Sequence, residues 1–222
     1  MSQILVAKYG KIEHMKRLAI FIRILKLLIS LTGILMFVGW LVAPNFWTKP
    51  LSYLATVVFP YVPDFFRLVK VNFSLPLVLA YEVFLIIALV LGIDLNWYSE
   101  ILVTADNDSY YDKIVHFFSG VLVAAVAQEL FALHTHRNGD HKNNKWFQAL
   151  FLMGAIALVA VGWECYEFLY DQIFGGHMQE LVKSGVADTM WDMIAALIGG
   201  GICVIYILGC QKSRIIKPKS RF

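Results

Sequence analysis

Three pairs of polar residues sit in otherwise apolar stretches of the chain. Asp112 and His116 lie in "YYDKIVHFFSG", Glu164 and Glu167 in "GWECYEFLYD", and Asp188 and Asp192 in "DTMWDMIAALIGG". Spacings of four, three and four residues put each pair on one face of a helix. At the rise of an α-helix, His116 and Asp192 fall roughly 6 Å inside their helix starts, and the two glutamates roughly 4–9 Å inside their helix end. All three pairs therefore share one depth near one face of a membrane. Carboxylates and imidazole at such spacing suit Zn or Mn, and carboxylates alone suit Mg or Ca. A metal-bound water could attack a lipid-linked ester or phosphate. The same set could serve as a proton relay in a transporter, or simply as polar glue between helices. Five acids with Lys113 as the neighbouring base exceed what pairing needs, so the surplus charge calls for a cation or for protonated carboxyls.

The elements that carry these residues are hydrophobic helices. The 222 residues are 59% hydrophobic and only 16% charged, well below the charged share of a soluble domain. Apolar blocks about 20 residues long match the thickness of a bilayer core. We read an all-α, polytopic membrane bundle of about six transmembrane helices, forming a single integral domain. The spans are 18–43, 50–66, 73–93, 111–133, 146–170 and 189–208. The second is the weakest, because it is short and contains Pro60, Pro63 and Asp64. The first apolar run is too long for a signal-peptide core, and no cleavage site follows it. Cys165, Cys203 and Cys210 lie in or beside apolar helices and read as packing residues rather than disulfide partners.

Charge orients the bundle. Lys8, Lys11, Lys16 and Arg17 precede the first span, and Lys212, Arg214, Lys217, Lys219 and Arg221 follow the last. Lys and Arg favour the cytoplasmic side, so both termini should be cytoplasmic and the number of crossings even. Counting 50–66 as a crossing leaves Arg67, Lys70, Arg137, Lys142 and Lys145 inside. The acidic loops 94–112 and 171–188 then lie outside. The three polar pairs belong to the outer face. Small residues nearby, among them Ser119, Gly120, Gly162, Ala195, Ala196 and Gly199, allow the helices that carry them to approach closely.

The blocks "YDKIVHFFSGVLVAAVAQEL", "GWECYEFLYD" and "DTMWDMIAALIGG" resemble those of the YjdF-like bacterial inner-membrane family and, more distantly, the VanZ-like group linked to teicoplanin resistance. The resemblance covers about residues 110–201 and includes Asp112, Lys113, His116, Gly120, Glu164, Glu167, Asp188 and Asp192. It departs from the VanZ-like pattern at Ala195 and Ala196, where that group has an asparagine. It implies a multi-pass protein of the bacterial plasma membrane and implies no particular reaction.

Other signals are weaker. Glu82, within the third span, and Glu129, near the inner end of the fourth, could extend a polar path inward with Lys113. His134, His136 and His141 lie in a polar cytoplasmic segment around Asn138 and Gly139, which reads more simply as a solvated turn. His177 lies in a glycine-rich outer loop and could cover the site. The basic ends serve topology; they form no folded basic face, so nucleic acid is not an expected partner.

These residues favour a plasma-membrane protein with an acidic outer site for a divalent cation, acting on or binding a lipid or cell-envelope precursor. A small proton- or cation-coupled transporter or flippase is the alternative. A non-catalytic membrane partner protein is a third. The topology is directly testable. A cysteine at Lys49 should react with a membrane-impermeant maleimide from outside the cell, and labelling only from the cytoplasm would refute the six-span arrangement.

Overall fold

The computed structural model describes residues 2–43, 50–103, 109–137, 144–174, 178–179 and 185–215. Lys49, His141 and His177 lie outside the described residues. The described residues are mostly helical, with short turns between the helices and an isolated bridge between Val103 and Ser109. The helices are α1 (Ser2–Val42), α2 (Pro50–Val58), α3 (Val62–Leu68), α4 (Leu75–Leu85), α5 (Trp97–Glu100), α6 (Tyr110–Arg137), α7 (Lys145–Phe174) and α8 (Gly185–Ile215). A 3₁₀ turn at Phe59–Tyr61 joins α2 to α3, and a π-helix at Ile86–Asp94 continues α4.

Five described stretches are long and apolar enough to cross a membrane: Ile12–Val42, Leu75–Asp94, Tyr110–His136, Lys145–Phe174 and Val186–Cys210. The helices outrun the apolar spans read from sequence, because helical hydrogen bonding continues into polar flanks where hydropathy falls. Residues 50–66, by contrast, lie in a broken leg from Pro50 to Leu68. Pro63 has no N–H to offer the Phe59 carbonyl four residues earlier. That carbonyl instead accepts from the Val62 N–H and from the Tyr81 hydroxyl at 2.8 Å. A neighbouring helix thereby satisfies a backbone group that proline left free, as membrane helices require.

The chain forms two compact units, residues 1–97 and 98–222. In the first, the broken leg packs antiparallel to α1. Gly33 meets Tyr53 and Thr56, Ser30 donates to the Val57 carbonyl at 3.1 Å, and Lys26 reaches Asp64. The next helix then starts beside the N-terminal half of α1: Ala19, Ile22 and Lys26 share a cavity wall with Leu75 and Val78. The leg thus brings the chain back along α1 before α4 sets out in the same direction.

In the second unit, α6 and α8 run side by side in the same direction. Lys113 meets Asp188 and Asp192, and Gly120 meets Ala196 and Gly200. The intervening α7 runs the opposite way: Gln148 meets Gln128 and Phe147 meets Phe131 near one end, while Glu167 lies beside Asp112 near the other. Ala124, Ala127, Phe131, Leu152, Ile156 and Val204 close the centre of this three-helix unit.

Backbone contact sets the α6–α8 spacing. A Cβ on Gly120 would lie 1.9 Å from the Ala196 carbonyl oxygen, and one on Gly199 would lie 2.1 Å from that of Phe117. Neither carbonyl can move without moving its helix. We therefore expect Gly120→Ala or Gly199→Ala to destabilise by at least ~1–3 kcal/mol, as overpacking does. A Cβ on Gly154 of α7 meets nothing within 4 Å. Gly154→Ala should be neutral or stabilising by up to ~1 kcal/mol through helix propensity. Thermal unfolding of the three variants in detergent checks the contrast.

Candidate functional site

Local structure first sets where the acids stand. Ser109 precedes α6 and its hydroxyl accepts the Asp112 N–H at 3.3 Å, an N-cap that starts the helix there. Asp112 consequently occupies the first turn, where the helix dipole favours a negative charge. Asp188 likewise lies in the first turn of α8. One turn deeper on each helix stand His116 and Asp192, both buried.

At the centre of the group is an amine. Lys113 Nζ lies 3.1 Å from Asp112 and 2.7 Å from Asp192, and also pairs with Asp188. It occupies the position between helices that the acids leave for a cation. His116 Nε2 is 3.5 Å from Asp112 Oδ1 and 4.0 Å from Asp192 Oδ1. Donor atoms of Asp112, His116 and Asp192 all lie within 4.8 Å of one another, close enough to hold one metal ion. An imidazole with two carboxylates is a donor set suited to Zn or Mn.

Glu164 and Glu167 are buried on α7 and face the same group. Glu164 has Thr189, Asp112, Asp188 and Lys113 in its electrostatic surroundings, and Glu167 has Asp112 and Asp192. Glu167 Oε1 accepts from the Trp163 indole N–H at 2.7 Å. Both Glu164 oxygens are fully enclosed, and the Thr189 hydroxyl is their polar neighbour. An enclosed carboxylate is costly unless it is protonated or meets a cation.

All six expected ligands and Lys113 therefore gather in one unit. Two further glutamates were expected on an inward path. Glu82 belongs to the first unit, fully buried, 3.7 Å from Lys26. Glu129 is half-buried on α6, between Ala127 and Phe131 of the apolar centre and more than three helical turns from His116. His134 and His136 are exposed near the end of α6.

Sequence reasoning overlooked two residues of this unit and one buried lysine of the first. Tyr98 of α5 packs edge-on against Tyr111 at 5.2 Å, and its phenol is held well above its usual pKa by burial and then by Asp112, Tyr111, Glu167 and Asp192. It stays protonated, so its hydroxyl is able to donate a hydrogen bond. Asp171 accepts the N–H groups of Met178 at 2.8 Å and Gln179 at 2.9 Å, and so ties the segment beyond α7 to the helix end. Gln179 in turn donates to the Thr189 hydroxyl at 3.1 Å. An interfacial tyrosine and an aspartate at a helix end carry no distinctive spacing, so nothing in the sequence marked them. Lys26 was detectable: a lysine eight residues into an apolar run is a signal in itself.

Beside the polar group, α6 and α8 frame a groove of about 1040 Å³. Lys113 and Asp188 line it at one point, and Phe117, Phe118, Trp191 and Ile194 supply apolar wall. Phe118, Trp191 and Ile194 are exposed, so the groove opens sideways from the unit.

A family model described as "Predicted membrane protein (DUF2238)" matches residues 23–213, and the chain belongs to that family. No curated protein and no solved structure matches it.

Removing the Lys113 amine would leave Asp112, Asp188 and Asp192 without their shared cation. Losing one partner of a buried pair costs ~3–5 kcal/mol. We expect Lys113→Gln to lower the unfolding free energy on that scale. Arg17→Gln, which breaks an exposed pair with Glu13, should cost less than about 1 kcal/mol. Chemical denaturation in detergent distinguishes the two.

Proposed function

We propose that this member of the family is a multi-pass protein of the bacterial plasma membrane that receives a lipid-linked cell-envelope precursor at its outer face. The polar head meets Lys113 and Asp188, and the hydrocarbon lies in the α6–α8 groove. Asp112, His116 and Asp192 hold a divalent cation, with Glu164 and Glu167 adding negative charge behind them. The observation that carries this reading is shared membership: Lys113 and Asp188 belong both to the acidic group and to the wall of the groove. An apolar channel that ends on a few convergent polar groups is the usual form of a small-molecule site. The resemblance of these three blocks to YjdF-like and VanZ-like proteins supports a place at the cell envelope.

A divalent ion at the three donors would supply Lewis acidity and an activated water for attack on an ester or phosphate. Lys113 neutralises the acids until substrate arrives, and its amine is then close enough to hold an anionic oxygen. The protonated Tyr98 offers a hydroxyl donor on the same side. The apolar centre formed by Ala124, Leu152, Ile156 and Val204 follows the polar group along the helices. It argues against a continuous polar path through this unit, and so favours an enzyme or receptor over a transporter. Glu82 offers no extension within the unit, since it belongs to the other one. Both termini are cytoplasmic in this proposal, and the leg from Pro50 to Leu68 is the second crossing.

Elemental analysis of protein purified without added metal should find about one divalent ion per chain by this assignment. A cation at a hundred times its dissociation constant should add ~2.7 kcal/mol of stability, and a chelator should remove it. Asp112→Asn and Asp192→Asn should abolish that response while leaving membrane insertion intact; Lys212→Ala should not change it. No ion and no thermal response would overturn the metal assignment. Ala195→Phe, which fills the groove, should reduce the lipid that copurifies with the protein. Unchanged lipid content would refute the groove as the binding place.

A further inference from the structure

The first unit contains a second charged site that the proposed function does not use. Lys26 of α1 is 7% exposed and pairs with Asp64 at 2.5 Å on one side and Glu82 at 3.7 Å on the other. Asp64 also holds Arg67 at 3.0 Å through its other oxygen. Lys26, Asp64 and Arg67 border a cavity of about 330 Å³. Arg23, one turn before Lys26, lines the same cavity and has no acidic partner among the described residues. Three cations thus meet two carboxylates. One positive charge is left over in a setting otherwise walled by Ile22, Leu27 and Val78.

An uncompensated guanidinium inside an apolar run is expensive. Arg23 lies five residues after Leu18, roughly 8 Å along the helix from the start of the apolar run. At that depth a long side chain snorkels to the headgroups, and by the distribution of Lys and Arg this is the cytoplasmic leaflet. The anion present there in quantity is lipid phosphate. A guanidinium fork matches two phosphate oxygens, so Arg23, with Lys26 and Arg67 lining the same cavity, gives directed recognition rather than a diffuse attraction. The volume admits a phosphate group and the first carbons of its chains, whose path the apolar wall continues. Asp64 is no obstacle, since Lys26 and Arg67 already neutralise it.

We infer that the cavity bordered by Arg23, Lys26 and Arg67 binds the phosphate of an anionic phospholipid from the inner leaflet. The acidic and basic groups behind it are a fixed scaffold: Glu82 and Asp64 hold Lys26 in place, and Lys26 and Arg23 present the positive face. The site belongs to the first unit and rests on none of the residues assigned to the envelope precursor.

Native mass spectrometry of the full chain in detergent tests this with three probes: phosphatidylglycerol, phosphatidylcholine and inorganic phosphate. The intact protein should retain phosphatidylglycerol in preference to phosphatidylcholine. Arg23→Gln and Arg67→Gln are exposed changes compatible with folding, and each should weaken that retention; together they should reduce it on the order of tenfold or more, as loss of charged hydrogen bonds does. Arg17→Gln, outside the cavity, is the control. Displacement by inorganic phosphate would assign recognition to the phosphate alone, and its failure would assign it to the whole lipid. Equal retention of the two lipids, or a double variant that retains phosphatidylglycerol as the intact protein does, overturns the site.

Discussion

One amine among three carboxylates governs the second unit. Lys113 can reach Asp112 on its own helix and Asp188 and Asp192 on α8 only if α6 and α8 touch backbone to backbone. Gly120 and Gly199 allow that contact, since any Cβ would overlap a carbonyl on the facing helix. Ser109 starts α6 at the residue that puts Asp112 in its first turn. Charge pairing, helix spacing and helix start are therefore one constraint. A lysine in hydrocarbon without its acids, or the acids without their lysine, would be far costlier than the assembled group.

The pairing is deliberately incomplete in charge. Lys113 is a single amine beside five buried or half-buried acids. A purely structural network would be expected to satisfy its members. The surplus negative charge calls for a cation or for protonated carboxyls, and an apolar groove adjoins it. The first unit shows the opposite balance. Its amine is likewise clasped between two carboxylates, but two arginines border the same cavity, and the excess is positive. The two units use one physical device, an amine held between acids, to present opposite charges.

Proline plays a different part in the first unit. It breaks the leg from Pro50 to Leu68 at a place where another helix can repair the loss, and Tyr81 does so at the Phe59 carbonyl. The break makes this leg poorer in hydropathy and regularity than its neighbours, yet its packing along α1 is as specific as theirs. Gly33 against Tyr53 is a contact as close as those of many regular helix pairs.

The sequence by itself determined the class of fold, five of the apolar stretches and which polar residues share a helix face. Each of these follows from local rules: span length from bilayer thickness, and a shared helix face from the helical repeat. It also named Asp112, His116, Glu164, Glu167, Asp188 and Asp192 together, because their depth along each helix is a matter of counting residues. Tertiary structure decided the partners. That Lys113 sits between the acids, that Glu82 belongs with Lys26, and that Tyr98 joins the group from a short helix far from its partners in sequence all depend on helix rotation and crossing. Those are set by backbone contacts at particular glycines and by the packing of α7. Periodicity tells which residues share a face, and only the packed helices tell what that face meets.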